Sequence, residues 1–452
     1  MNAQTGHIER DAEWISSAHR EFNITSWSPQ SGPMPMVVEG AQGCWFWDSN
    51  GKRYLDFQSQ LVNLNLGHQH PAIIQAIKDQ ADRMCYIGPS MANDARSELA
   101  AKIAEVTPGD LKRTFFTTGG AAAIENAIRL ARHMTGRQKV IARYRSYHGA
   151  TTGALAVTGE PRHWLNEPSP AGIVRMMDPY CYQCPNRKIE PCGICQAKPH
   201  VEEILQYENP NNIAAIIVEP ITGTNGIIIP PDGYLQGLRE ICDKYGIVLI
   251  FDEVMSGFGR TGKWFACDHW NVTPDILCVA KGLNSGYVPL GAMIVSEKYE
   301  NWLATNAFPG GLTYSGHPLA CATGVASMRV YQEDHVIENA ADQGVYLSER
   351  LNAMMKKYPV MGEVRGKGLF WAIELVKNRE THEPFVPFNA KGEQAQPMAK
   401  LMAHAMSKGL YLSSFSNIIR LSPPLIINRQ EMSDACDILD ELMMMANDSL
   451  KK

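Results

Sequence analysis

Through the middle of the chain, short unbroken apolar runs alternate with segments whose apolar positions recur every three or four residues. "NNIAAIIVEP" (residues 211–220) carries one such run up to Glu219. "IVLIFDEV" (residues 247–254) carries a second, from Ile247 to Phe251, with Asp252 next. "PDILCVAKGLNSGYVPLGA" (residues 274–292) carries a third, from Ile276 to Ala280, and then delivers Lys281. Between the runs, "LQGLREICDKYG" sets Leu235, Leu238 and Ile241 on one helical face and stops at Gly246. Continuous apolar strands separated by amphipathic helices predict a parallel sheet covered on both faces. Residues 38–57 differ: they alternate in period two around Asn50-Gly51, which predicts a hairpin. After about residue 330, helices mix with short strands such as "GLFWAIEL". The expected fold class is α/β. A large domain (75–330) holds a mostly parallel central sheet and a cysteine-rich insert at 181–195. A small α+β domain is built from both chain ends, 1–74 and 331–452.

Composition excludes more than it adds. The 452 residues are 45% hydrophobic and 20% charged, with a net charge of −5 and no dominant basic cluster. Nucleic acid and anionic membrane surfaces are therefore not expected partners. No apolar stretch reaches the ~18 residues that span a bilayer. The opening "MNAQTGHIERDAEW" is polar and acidic, unlike a signal or transit peptide, so a cytoplasmic protein with reduced thiols is expected. Seven of the eleven cysteines, Cys44, Cys85, Cys242, Cys267, Cys278, Cys321 and Cys436, are scattered as core residues would be.

Glu219, Asp252 and Lys281 each follow a buried strand. In α/β sheets the carboxyl ends of the strands are where ligands sit, so three ionisable groups there point to a site. "FFTTGGAAAIENAIRLARHMTG" (residues 115–136) runs from a strand through Gly119-Gly120 into a helix with Ile124, Ala127, Ile128 and Ala131 on one face. Glycines at a helix start let unpaired N–H groups approach an anion, and the helix dipole favours it. A lysine able to form an imine, an acid to keep a ring nitrogen protonated and a phosphate cup are the parts that pyridoxal 5'-phosphate needs.

At these residues the chain resembles the class III pyridoxal-phosphate aminotransferases, the ω-aminotransferase branch of fold type I, over nearly its whole length. The resemblance is carried by "FDEVMSGFGRTGKWFA" followed by "PDILCVAKGLNSGYVPLGA", with Asp252 and Lys281 twenty-nine residues apart. "YHG" at 147–149, "VEPI" at 218–221, "LTYSGHPLAC" at 312–321 and "IIRLSPPL" at 418–425 follow in the family's order. The resemblance implies a Schiff base on Lys281, which also moves the proton during transfer, and Asp252 on the ring nitrogen. It implies Val254 on one ring face, Tyr147 on the other with His148 beside it, and Glu219 as support. Gly119, Gly120 and Ala121 would receive the phosphate. Thr313 would reach the phosphate of a partner subunit's cofactor, so a homodimer or tetramer is implied.

Specificity lies in departures from the family pattern. Relatives that bind a distal carboxylate carry "HGRT" after the stacking aromatic; here "YHGATT" places Ala150 there. Thr224 stands where those relatives have a glutamate that shields the substrate arginine, so Arg420 is expected to stay uncovered. Arg420 matches the arginine that grips the keto acid's α-carboxylate. Met255 stands where many relatives have a glutamine against the cofactor's phenolic oxygen. One strong anion clamp suits a short ω-amino acid or amine donor, such as taurine or β-alanine, with pyruvate or 2-oxoglutarate as acceptor. "LDFQSQLVNLNLGHQHP" and "TTGGAAAIENAIRLAR" resemble the taurine-type aminotransferases. Trp27, Gln60 and Leu61 are candidate pocket residues, and Arg162 a candidate second anion contact.

Cys181, Cys184, Cys192 and Cys195 form C-x2-C-x7-C-x2-C, a spacing that suits tetrahedral zinc. An iron–sulfur cluster, free thiols and disulfides remain alternatives. Within the fold, an aminomutase, a dialkylglycine-type decarboxylase or a phospho-lyase would use the same cofactor parts. A zinc-knuckle interaction protein on a degenerate enzyme fold would have lost Lys281 or Asp252, and both are present.

Overall fold

The computed structural model describes residues 10–184 and 192–451. Residues 1–9 of the polar N-terminal stretch and residues 185–191 of the cysteine-rich insert lie outside the described residues.

Three strands open the chain: β1 (Val38–Gln42), β2 (Trp45–Asp48) and β3 (Arg53–Asp56). Asn50-Gly51 turns β2 back onto β3 as an antiparallel hairpin, as its turn chemistry predicts. The central elements follow as β4 (Leu111–Thr117), β5 (Lys139–Arg143), β6 (Ile173–Met176), β7 (Ile213–Val218), β8 (Val248–Asp252), β9 (Ile276–Val279) and β10 (Gly291–Ser296). They form one sheet in the order β4-β10-β9-β8-β7-β5-β6. The run from β6 to β9 is parallel, and β10 is antiparallel to both its neighbours.

Alternate residues of the central strands pack on opposite faces. Ile216, Leu249 and Leu277 join one apolar cluster. Ile217, Ile250 and Cys278 join another with Ile124, Ala127, Ile128 and Ala131 of the helix Gly120–Thr135. Burying each large aliphatic side chain is worth about 1.5–3 kcal/mol, which fixes the register of every strand against the faces. The predicted helix over 235–246 is Tyr234–Tyr245, ended by Gly246 in the left-handed conformation.

The remaining strands are β11 (Met361–Lys367), β12 (Phe370–Asn378), β13 (Glu383–Pro384), β14 (Leu410–Tyr411), β15 (Ser413–Phe415) and β16 (Ile418–Leu421). The order β11-β12-β16-β15, with β13 on β12, makes a C-terminal sheet, while β14 returns to pair with β3. The two chain ends thus meet, through Leu410 opposite Leu55. Among the seven scattered cysteines one expectation fails: Cys85 is exposed, just past the helix Pro71–Arg83, whereas the other six are buried. Among the described residues no helix is long and apolar enough to cross a membrane.

Candidate active site

Four neighbouring parallel strands, β5, β7, β8 and β9, end on the same rim. Arg143 closes β5, Glu219 follows β7, Asp252 closes β8 and Lys281 follows β9 by two residues. The register sets Val218 opposite Phe251 and Asp252 opposite Cys278, so the polar residues form one row above a dry sheet.

Lys281 sits at φ +44°, in the left-handed region that a lysine rarely adopts. Two glycines let its loop pack closely: a Cβ at Gly282 would overlap the Asn65 amide, and one at Gly286 the Asn63 amide. The lysine keeps part of its surface accessible. Burial of its surroundings pushes the ammonium pKa down to about 8, against the pull of Asp252 and Glu219 and with help from the charges of Arg420 and Arg162. At pH 7 a group with that pKa is about one-tenth neutral amine, a fraction an ordinary lysine lacks.

Asp252 is held from two sides. His148 Nδ1–H donates to its Oδ2 at 2.7 Å and the Val254 N–H donates to its Oδ1 at 3.0 Å. Glu219 is buried and spans two loops: its Oε1 accepts from the Tyr147 N–H at 3.1 Å and its Oε2 from the Gly223 N–H at 2.7 Å. Burial, reinforced by Asp252, raises its pKa, and His148 opposes that rise. Arg143, fully buried, donates to the Glu219 carbonyl.

The helix Gly120–Thr135 begins at Gly119 with no side-chain cap. A Cβ on Gly119 would meet nothing, so there is open space at the helix start, whereas a Cβ on Gly120 would reach Val254 at 2.9 Å. The uncapped helix start and Val254 therefore adjoin.

The sequence from residue 26 to 443 matches the model of the aminotransferase class-III family. This chain is a class III aminotransferase. It is 41% identical to the taurine:2-oxoglutarate aminotransferase of Bifidobacterium kashiwanohense, solved with PLP and glutamate; that likeness covers 98% of this chain and 100% of the other, with a TM-score of 0.93. It is 35% identical over 421 residues to 5-aminovalerate aminotransferase DavT of Pseudomonas aeruginosa, covering 90% of this chain and 93% of the relative. It is 32% identical to putrescine–pyruvate aminotransferase of the same species, covering 100% and 98%. The aminotransferase is thus a pyridoxal-phosphate-dependent ω-transaminase of the expected α/β fold. Its residues fit that cofactor: an uncapped helix start for a phosphate, an oriented carboxylate at the strand rim, and a lysine with a lowered pKa.

Of the candidate substrate residues, Arg162 and Arg420 act with their charges on the Lys281 ammonium. Arg162 stacks its guanidinium 3.9 Å from the Tyr147 ring centroid and 5.4 Å from that of Trp27, and pairs with the buried Glu160. Arg420, on β16, donates from Nη2 to Ser413 Oγ at 2.9 Å, while its Nε is buried without a hydrogen-bond partner. Burial, and then the Arg162 charge, pushes the Arg420 pKa down to about 10. Thr224 Oγ1 donates to Met255 Sδ at 3.7 Å, so two of the departures noted in the sequence touch one another. Ala150 is exposed. Gln60 Nε2 is tied to Asp56 Oδ2 at 2.9 Å, and Leu61 is 72% exposed.

Thr313 is exposed, and its carbonyl accepts from Tyr86 Oη at 2.9 Å. The four insert cysteines come together, with Cys181 Sγ 3.0 Å from Cys195 Sγ and Cys184 Sγ 3.5 Å from Cys192 Sγ. Sequence reasoning missed Arg143, Glu160 and Ser413. Arg143 carried the same signal as its neighbours, a charged residue closing an apolar strand. Glu160 and Ser413 carried none, because loops and a separate strand bring them in.

Proposed function

We propose that this aminotransferase moves the amino group of a short ω-amino acid with a terminal anion, of the taurine or β-alanine kind, to pyruvate or 2-oxoglutarate. The observation that carries this reading is the buried, unpartnered Nε of Arg420 in a pocket that also feels the Arg162 charge. A buried guanidinium nitrogen without an acceptor costs stability until an anion supplies one. The likeness to a taurine:2-oxoglutarate aminotransferase supports the same class of donor.

Pyridoxal phosphate, when bound, supplies an aldehyde that accepts the amino group and a protonated ring that draws electrons from the breaking bond. The chain's own residues do the rest. Gly119, Gly120 and Ala121 would hold the phosphate on the helix start. Asp252, fixed by His148, would keep the ring nitrogen protonated. Val254 and Tyr147 would pack against the ring, and Glu219 holds the Tyr147 backbone in place. Lys281 Nζ would bind the cofactor and take the proton from the substrate's amino-bearing carbon. Arg420 holds the keto acid's α-carboxylate. Arg162, carried on Tyr147 and Trp27, takes the ω-anion, with Gln60 and Leu61 at the rim.

We also read the chain as a large domain over 75–330 and a small one over 1–74 and 331–452. Tyr86, Met91 and Tyr314 are exposed, Tyr86 and Tyr314 lying against the Thr313 segment. They support a homodimer in which Thr313 reaches the cofactor of a second copy. A cytoplasmic enzyme with a structural zinc ion on its four clustered cysteines completes the reading.

The test is to add taurine, β-alanine, 4-aminobutyrate and a simple primary amine separately to the holoenzyme. Taurine or β-alanine is expected to bleach the visible cofactor band, and a keto acid to restore it. A band bleached by the primary amine alone would overturn the anionic-donor reading. In Arg162→Met, kcat/KM for taurine and 2-oxoglutarate is expected to fall about 10- to 100-fold, as loss of a charge-assisted contact requires. The value for pyruvate should stay nearly constant. An equal loss for pyruvate would show that Arg162 only props Tyr147.

A further inference from the structure

The cysteine cluster stands at a junction between the central sheet and the C-terminal sheet. Cys184, Cys192 and Cys195 bring their sulfurs within 4.8 Å of one another, and Cys181 joins through Cys195 at 3.0 Å. A disulfide needs about 2.05 Å, shorter than either sulfur pair. Four thiolates at about 2.3 Å from one zinc ion lie roughly 3.8 Å apart; Cys184, Cys192 and Cys195 already cluster within 4.8 Å, and Cys181, against Cys195, would close the set. Two of the four sulfurs sit on buried residues, and soft thiolates gathered this closely select a soft or borderline cation.

The residues threaded between the first two cysteines do not face solvent alone. Tyr180, just before Cys181, donates its hydroxyl to Glu374 on β12. Gln183 Nε2 donates to the other oxygen of Glu374 at 3.0 Å. Tyr182 stacks on His382, with ring centroids 4.1 Å apart and planes at 10°, and its carbonyl accepts from His382 Nδ1–H at 2.7 Å. A Cβ at Gly362 on β11 would overlap the Tyr182 hydroxyl. These contacts dock the insert on β11, β12 and the loop that follows β12.

The same node reaches the active site. Arg365 on β11 donates from Nη1 to Glu374 Oε2 at 2.7 Å and packs its guanidinium 4.9 Å from the Tyr180 ring centroid. From Nε and Nη2 it donates to the Gly226 carbonyl at 2.9 and 2.7 Å. Gly226 closes a turn on Gly223, whose N–H is held by Glu219. A buried ion pair such as Arg365–Glu374 is costly unless its other hydrogen-bonding positions are filled, and Tyr180 and Gln183 fill those of Glu374.

We propose that zinc bound by Cys181, Cys184, Cys192 and Cys195 is a clasp. By fixing the turn that carries Tyr180, Tyr182 and Gln183, it locks the Arg365–Glu374 pair and the 223–226 turn behind Glu219. The proposal rests on the zinc reading above, and its test separates the two.

Metal is first measured on full-length holoenzyme purified without chelators. About one zinc per chain is expected, as a tetrathiolate site requires, with loss of that zinc in Cys184→Ser and Cys192→Ser. Iron with acid-labile sulfide, paired disulfides by mass, or no metal even after zinc is supplied would each overturn the zinc reading. Hydrogen exchange then compares zinc-loaded and chelator-stripped holoenzyme. Faster exchange, by about tenfold or more, is expected at residues 361–376 and 223–228 as well as at the insert, with 120–135 unchanged. Loosening confined to 178–198, with zinc present, would overturn the clasp and leave the zinc standing. Gln183→Ala retains all four ligands, so it should keep the zinc yet loosen 370–376; unchanged exchange there would also overturn the clasp.

Discussion

Lys281→Ala is expected to lower turnover by roughly 10⁴-fold or more, because in the proposed mechanism one side chain supplies both the covalent hold on the cofactor and the proton transfer. The argument starts in the backbone. A buried strand, Ile276–Val279, and a left-handed residue at φ +44° bring Lys281 to the rim where the charges of Asp252 and Glu219 act on its ammonium. The variant should fold, since Lys281 packs no core cluster, and its melting temperature checks this. Its lysine-dependent visible band should be missing, and bound cofactor should wash out on dialysis. Retention of more than about a tenth of the wild-type rate would assign the proton transfer elsewhere.

The lowered pKa adds a pH dependence with a definite sign. Burial disfavours the ammonium, so the folded value is about 8 against about 10.4 in an unfolded chain. Between these values the unfolded state binds more protons, so the cofactor-free protein gains stability as pH rises from about 8 to 10.4. Only the neutral amine captures the cofactor. The rate of holoenzyme formation, followed by the visible band, should therefore fall towards tenfold per pH unit below about 8. A rate flat from pH 6 to 9 would contradict the assignment.

The sequence made the row of strand-end residues legible because burial and periodicity are local. An unbroken apolar run closed by a charge is visible in six letters, and Glu219, Asp252 and Lys281 were each found that way. Arg143 obeyed the same rule and was overlooked because its strand, "KVIAR", starts with a charge of its own. The hairpin over 38–57 was legible through Asn50-Gly51, but its extra partner, β14, was not. Pairing between residues more than 350 positions apart leaves no local trace. The pocket wall was illegible for the same reason. Glu160 reaches Arg162 from two residues away, yet only the fold stacks that pair on Tyr147 and Trp27. The cysteine spacing announced a cluster and said nothing of Glu374, Arg365 or His382, which lie far on in the chain.

Arg420 is the second position where a large loss is expected, and the direction of the effects distinguishes a substrate clamp from a framework residue. It stands on β16 opposite Ala372 and Ser413, so the C-terminal sheet carries it to the rim of the central one. Ser413 satisfies one nitrogen and leaves the buried Nε open. With a pKa of about 10 the guanidinium stays charged at neutral pH, and Thr224 offers no carboxylate to neutralise it. Arg420→Leu removes a charged partner from a desolvated pair, a loss of about 2–5 kcal/mol, so kcat/KM for the keto acid should fall by roughly 30- to 5,000-fold. Arg420→Lys should recover only part of this, because an ammonium cannot make the bidentate contact. A framework residue would behave otherwise: its loss would weaken the cofactor band and the reaction with every substrate alike. The clamp instead predicts that Arg420→Leu keeps the wild-type visible spectrum and reacts undiminished with any amine lacking a carboxylate. Since removal of a buried, partly unsatisfied guanidinium also relieves a desolvation cost, the variant's melting temperature should not fall, and may be checked in the same sample. A keto-acid kcat/KM within about threefold of wild type would place the α-carboxylate on another residue, such as Arg162, whose charge already acts on Arg420.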